Sequence, residues 1–504
     1  MKFRTIGAKT LLITMLFSVS FTMSRNALQP PEVSELPQGP KRDIPTHPSR
    51  IDFEQHQWRV PSGEPYRNVL NNGLRAYIAI DSTLPLVEIE GYINHSPLND
   101  PQGKQGLGAL MSRLLRLGGT EQMRGDSINE LLATKAIQLS FSQSESHITF
   151  NGSFLSEYLD TALTIIEQLF FYPAFDQQIL NREKNIMKEA VRHRFVNPPP
   201  TLSAAYRKQL FGNSNASRLT TIASLDNIDR EDLVKLHKSV FTTDNIVISV
   251  AGNFTEQTVK SRLETIFPVT ENARQIVPFE EIISAPSIDA LIVHRPINQA
   301  YVRMGLPMFR RPHPDYYTAS LLNMIIGGGG FTSRLGTKIR SDAGLTYSIH
   351  SRMESNYLYP GTFYIEFNTR TETLPLAISL IKSEVERFKE EGVTEDELAN
   401  GKTALLSQLP SMFRSPGNTT ATYAWNEFYG RSADHFLLYP NEIATISVED
   451  VNRVAAQYLD PSAFTYTIVA DTSRLNRLDT SKGFDWREIE NRRIISTDEI
   501  ERLP

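Results

Sequence analysis

The sequence predicts an α+β fold repeated in two homologous halves, and three observations carry that prediction. A chain of 504 residues is too long for one hydrophobic core when domains run to roughly 100 to 200 residues, so at least two are expected. Short segments with period-two alternation come in pairs and give way to longer segments with helical periodicity, which is the α+β arrangement. One helix–turn–strand unit occurs twice. LDNIDREDLVKLHKSVFTTDNIVISVAGNF, near 226–254, and IATISVEDVNRVAAQYLDPSAFTYTIVADT, at 443–472, match Ile228 with Ile446, Leu233 with Val451 and Ala251 with Ala470. The offset of about 218 residues is close to that between the first predicted helix and YYTASLLNMIIGGGG, so each half holds roughly 220 residues.

Residues 1–22 open with a basic segment, MKFRTIGAK, followed by about twelve mainly apolar residues, with small Ser18 and Ser20 as a cleavage site. That run is shorter than the roughly 20 residues a bilayer span needs, so it reads as a secretory signal. The mature chain is expected to be exported to the periplasm without stable membrane insertion. The Pro-rich arm at 23–55 cannot bury enough apolar surface to order by itself. In the first half, 56–270, Asn71-Asn72-Gly73 is a hairpin turn before LRAYIAI, and LPLVEIEGYIN is the next alternating strand. Helices are expected over 107–117 and 126–134, the second opened by an Asp or Ser cap with Glu130 close behind. QLSFSQSESHITFNGSF reads as another hairpin, and amphipathic helices follow at 155–171 and 176–194. A polar linker with two prolines, 271–290, leads to the second half at 291–472, and a charged tail occupies 473–504.

The formal net charge of −5, with no basic stripe interleaved with aromatics, argues against nucleic acid as a partner. Cysteine is absent, which removes disulfides, thiol catalysis, cysteine-ligated metals and lipid attachment at an N-terminal Cys. The ten histidines, among them His95, His147, His193, His237 and His350, are scattered with no two a helical turn apart, so they read as surface or capping residues. No nucleophile elbow or Ser-x-x-Lys pair has a strand–turn–helix context. The glycines at 327–330 lack the Gly-Lys-Ser/Thr ending of a phosphate loop, which discards nucleotide binding.

Four strings, NNGLRAYIAI, DPQGKQGLGALMSRLLRLGGT, TTDNIVISVAGNF and GGGGFTSRLGTKIRSDAGLTYSI, together with the duplication, resemble the pitrilysin/insulinase family of zinc peptidases, in its mitochondrial-processing-peptidase-like branch. The resemblance runs from about residue 60 to 470. It implies two α/β-sandwich halves of the metallopeptidase type, each a mainly antiparallel sheet covered by helices, which form a clamp around an extended peptide. Active members carry His-x-x-Glu-His on the first long helix, with a distant Glu as third zinc ligand. At those positions this chain has Ala109, Ser112 and Arg113, none of which can ligate zinc or act as a general base. The family spacing of about seventy-six residues on from Arg113 lands on Glu189, which is either a solvent-facing helix carboxylate or the partner of Arg113 in an ion pair in place of the metal.

In the second half Arg340 and Tyr347 stand where the resemblance places substrate and transition-state donors, and Gly327, Gly328, Gly329 and Gly330 match its glycine-rich loop. The implied role is a non-catalytic subunit with no cofactor of its own. A zinc-bearing homologous partner would hydrolyse a peptide or protein substrate while this chain supplies Arg340 and Tyr347. The alternative is an inactive peptide-binding or scaffold protein with no part in hydrolysis.

Overall fold

Hairpins and one buried central strand build the first sheet. The computed structural model describes His47 and residues 58–268, 281–284, 286–481 and 483–503. Strands β1 (Arg67–Val69) and β2 (Arg75–Ile80) are joined by the expected turn, where Gly73 takes φ of 82°, a conformation that suits glycine. With β3 (Leu86–Ile93), β4 (Gln138–Gln143), β5 (Ile148–Leu155) and β6 (Ile246–Gly252) they form a sheet ordered β1-β2-β6-β3-β5-β4, parallel between β2 and β6 and antiparallel elsewhere.

The second sheet repeats this plan. It comprises β7 (Ala290–His294), β8 (Gln299–Pro307), β9 (Ile349–Glu354), β10 (Thr362–Arg370), β11 (Thr465–Ala470) and β12 (Arg492–Ile495), ordered β12-β7-β11-β8-β10-β9. Five strands correspond one to one, and the sixth differs in origin. β1 precedes its neighbour and runs antiparallel to it, whereas β12 comes from the charged tail and runs parallel to β7. Ile495, Ile500 and Leu503 of that tail are buried.

The helices of the first half are α1 (Leu107–Leu117), α2 (Gly125–Thr134), α3 (Leu159–Phe171), α4 (Gln177–Arg192), α5 (Pro198–Phe211), α6 (Ile222–Asp226), α7 (Arg230–Val240) and α8 (Glu256–Ile266). Those of the second are α9 (Tyr316–Asn323), α10 (Leu374–Glu391), α11 (Glu395–Leu406), α12 (Leu409–Met412), α13 (Pro416–Phe428), α14 (His435–Thr445), α15 (Val448–Tyr458) and α16 (Thr472–Leu475). Each sheet packs one apolar face on helices of its own half. Val87, Ile89, Phe150 and Ile248 meet Leu110 and Leu114 in the first core, and Val302, Met304 and Ile365 meet Ile378 and Ile381 in the second.

The opposite faces are covered by exchange. α5 leaves the first half and packs on the second sheet, with Leu202 and Ala205 against Leu291, Val293 and Val469. Its Gln209 donates to the Ile288 carbonyl at 2.7 Å and accepts from the Thr467 hydroxyl at 2.5 Å. α13 returns the arrangement, with Tyr423 and Ala424 on Tyr77, Tyr92 and Val247 of the first sheet. Trp58–Pro504 accordingly forms one compact unit. The sequence reading has no helix where α5 lies. Pro198, Pro199 and Pro200 occupy its first turn, where backbone N–H groups have no intrahelical acceptor and proline is tolerated. The signal at 1–22, nearly all of the arm at 23–55 and linker residues 271–280 lie outside the described residues. Among the described residues no helix is long and apolar enough to cross a membrane.

Candidate functional site

α1 is held at its N-terminus by Asp100. The carboxylate accepts from the backbone N–H of Gly106 at 2.9 Å and of Gly108 at 3.1 Å, the stabilising placement for an anion at a helix start. His95 Nε2 lies 3.3 Å from the same carboxylate, and both side chains are buried. A Cβ on residue 108 would stand 2.6 Å from His95 Nε2, so glycine is required for the approach. The helix buries Leu107, Leu110, Met111, Leu114 and Leu115.

The three degenerate positions have other uses. Ala109 is half-buried and offers no donor. The Ser112 hydroxyl is buried and donates back to the Gly108 carbonyl at 2.9 Å. Arg113 turns to α4, but its partner is not Glu189. Its Nε and Nη2 donate to Glu183 Oε2 at 2.9 and 2.6 Å, and Arg182 Nη2 lies 3.2 Å from Glu183 Oε1. Glu189 is exposed and pairs with Arg192 and His193 of its own helix segment. Spacing along α4 explains the correction. Leu180, Glu183, Met187 and Val191 share the stripe that packs inward, whereas Glu189 falls on the solvent side. A carboxylate on an apolar stripe was the available signal for Glu183.

These residues do not fit zinc. The Arg113 guanidinium already neutralises the buried Glu183 carboxylate, and positions 109 and 112 carry no ligand atom suited to the ion. Among the described residues no group of three or more His, Asp or Glu is placed to hold a metal ion.

Arg340 and Tyr347 are brought together. Arg340 lies in a π-helical stretch, Gly336–Asp342, and its guanidinium sits 3.9 Å from the ring centre of Phe331 and 4.8 Å from that of Tyr347. Both rings are exposed, Tyr347 at 82% and Phe331 at 66%. Among the described residues Arg340 makes no hydrogen bond or ion pair, so the aromatic faces fix the cation while its donors stay available. Phe331 escaped the sequence reading although it follows the glycines directly. Gly327 is a packing residue, since a Cβ there would meet Ser351 Oγ at 2.5 Å. Gly328 and Gly330 are exposed, and Gly330 has φ of 63°. No hydrogen bond, ion pair or ring contact among the described residues links this segment to α1.

Beside α1, β4 is the outermost strand of its sheet, with no partner strand among the described residues. A cavity of 510 Å³ adjoins it, lined by Glu88, Glu90, Arg116, Gln138, Asn151 and Thr420, among others. Burial, and beyond it the charge of Glu88, pushes the Glu90 carboxyl above its ordinary range. Arg116 Nε is buried there without a partner.

Residues 81–221 match the model of the insulinase family, peptidase family M16, and residues 227–405 match the peptidase M16 inactive domain. A non-peptidase homolog, YmxG, of Helicobacter pylori is 27% identical over 378 residues, covering 73% of this chain and 85% of that protein. An uncharacterized zinc protease, YmxG, of Bacillus subtilis is 24% identical over 398 residues, covering 78% and 95%. Among solved structures, a peptidase M16 inactive domain from Pseudomonas fluorescens superposes with a TM-score of 0.71 at 20% identity, covering 80% of this chain and 97% of that one. Two family matches in tandem, the shared fold and a first helix without metal ligands lead to one conclusion: this chain belongs to the insulinase family, M16, as an inactive peptidase homologue.

Proposed function

We propose that the chain is the non-catalytic subunit of a periplasmic heterodimeric peptidase, in which a homologous partner brings the zinc and this chain binds extended peptide and lends Arg340 and Tyr347 to the partner's site. The observation that carries this reading is the Arg340 guanidinium, held against two exposed rings and without a hydrogen bond or ion pair among the described residues. A half-buried arginine that makes no hydrogen bond or ion pair among the described residues has its donors open to a group outside the chain. The phenol and guanidinium both donate to a peptide carbonyl and to the oxyanion that forms from it.

The unpaired edge of β4, beside a cavity floored by Glu88 and Glu90, supports peptide binding by strand addition, with a basic side chain on the carboxylates. That edge serves equally well in a peptide-holding scaffold. The two readings part in a reconstitution assay. The purified chain alone should not cleave a peptide library, and adding the zinc-bearing homologue from the same source should give chelator-sensitive cleavage. Arg340→Ala or Tyr347→Phe in the reconstituted enzyme should lower turnover by about 10- to 1000-fold, the range for losing one transition-state donor. Full turnover in both variants would leave only the scaffold reading.

A further inference from the structure

A second cavity, of 330 Å³, lies between α9, α12 and α14, and Asn323 and Met324 of its lining lead into the glycine-rich loop. Two arginines line it, Arg311 after β8 and Arg431 after α13. Among the described residues neither forms an ion pair with a carboxylate. Arg311 Cζ is 3.7 Å from the ring centre of Tyr316 and 4.6 Å from that of Tyr357, and its side chain makes no hydrogen bond. Arg431 Nε donates to the Tyr357 hydroxyl at 2.6 Å, and its Nη1 lies 3.4 Å from His435 Nε2. His435 Nδ1 is 3.2 Å from the Tyr317 hydroxyl.

Burial, and beyond it the two arginines, pulls the His435 imidazole down to about 4, so it is neutral at pH 7 and its Nε2 can accept from Arg431. Burial and the second guanidinium also hold Arg311 below the usual arginine range. The charge of Glu442 acts on Tyr317, and among the described residues Glu442 pairs with neither arginine.

Two half-buried like charges side by side repel, and a fold that keeps them stacked on tyrosines has a site prepared for an anion. Met324, Met353, Leu405, Leu409 and Met412 give the rest of the lining an apolar stretch, which Ser320, Asn323 and Gln408 interrupt with polar groups. We propose that this cavity binds a carboxylate carried on a short apolar stem, either the last residue of a peptide or a free acyl acid, with Arg311 and Arg431 taking the carboxylate and the methionines and leucines the stem. Planar guanidiniums match a carboxylate edge to edge, and the mixed lining leaves little for a bare inorganic oxyanion to fill.

Isothermal titration of the full chain tests this with four probes: N-acetylleucine, its amide, octanoate and inorganic phosphate. At least one of the two acids should saturate, and which one does identifies the source of the carboxylate. The amide should bind at least about tenfold more weakly, the scale of one charge-assisted hydrogen bond. Arg311→Gln should weaken the acid by a similar factor and leave the melting temperature unchanged or higher, since a desolvated unpaired charge is removed. Lys238→Gln, exposed on α7, should change nothing. The acid-against-amide comparison stands on the unaltered chain, so it decides the matter even if a variant fails to fold. Equal binding of acid and amide, no binding of either acid, unchanged affinity in Arg311→Gln, or tighter binding of phosphate than of both acids would overturn the proposal.

Discussion

Glu183 is nearly fully buried, and its charge is tolerable only because Arg113 and Arg182 reach it from two sides. Arg113→Met should therefore destabilise the fold by about 1–3 kcal/mol, the cost of leaving a buried charged acceptor short of a partner, with the lower end favoured because the guanidinium is itself part exposed. The double variant Arg113→Met/Glu183→Leu should recover most of that loss, since charge and partner leave together. Urea unfolding of both variants checks it, and a double variant weaker than the single one would remove the pairing argument. His237 gives a pH dependence at the same scale. Burial lowers its pKa to about 4 against an ordinary 6.5, while its Nε2 stays 2.7 Å from the Phe170 carbonyl. The unfolded chain then binds the extra proton, so stability is complete above pH 6.5 and falls as pH drops towards 4, by about 1.4 kcal/mol per pH unit for each such histidine. His147, lowered to about 4 by burial, adds to the slope. Between pH 6.5 and 5, His237→Gln should flatten the decline of the urea midpoint; an unaltered slope would show that folded His237 takes up its proton as readily as the unfolded chain does. Little of this residue-scale detail was legible. Ser112 and Arg113 were recognisable as non-ligands from residue type alone, but which glutamate Arg113 meets depends on helix phase, and a count along the chain chose the solvent-facing one.

Element identity was more legible than element placement. α1, α4 and the hairpins follow from periodicity because each buries one stripe or one face. α5 was missed because it is buried on most sides and has no amphipathic period to detect, besides opening on three prolines. α13 covers the inner face of the first sheet, and one residue ties it there. Glu427 accepts from Arg67 Nε and Nη2, both at 2.8 Å, and from the Tyr77 hydroxyl at 2.7 Å, and these donors hold its carboxyl below its ordinary range despite burial. Glu427→Ala should cost about 1–3 kcal/mol, because it leaves Tyr77 and Arg67 without their acceptor. Hydrogen exchange should quicken in α13 and β2 ahead of α10, which lies in the other core. Uniform acceleration across both halves would mean that α13 is not an independent lid on the first sheet.

At the scale of the molecule the two halves are reciprocal: each is completed by a helix from the other. The duplication was readable because it preserves a local order of capping and apolar residues, as in the Asp229 and Ser447 caps of α7 and α15. The exchange was not, because nothing within α5 or α13 says which sheet lies beneath it, and that pairing joins residues hundreds of positions apart. Cutting at the sequence-defined boundary therefore has a definite consequence. A fragment spanning 58–284 keeps β1–β6 but loses α13, which uncovers Tyr77, Tyr92 and Val247, and it carries α5 with Leu202, Ala205 and Tyr206 facing water. A fragment spanning 286–503 lacks α5 over Leu291, Val293 and Val469. Exposed apolar faces of that kind drive association, so each fragment alone should bind a hydrophobic dye and elute as aggregates. Expressed together they should refold as a one-to-one complex that elutes with the intact chain and has its circular dichroism. Adding Gln209→Leu to the first fragment should weaken the complex, because Thr467 and the Ile288 carbonyl lose their partner inside the exchanged interface. If the first fragment instead folds alone as a stable monomer, with a melting temperature near that of the whole chain, α13 is an accessory layer, and the exchange contributes little to holding the halves together.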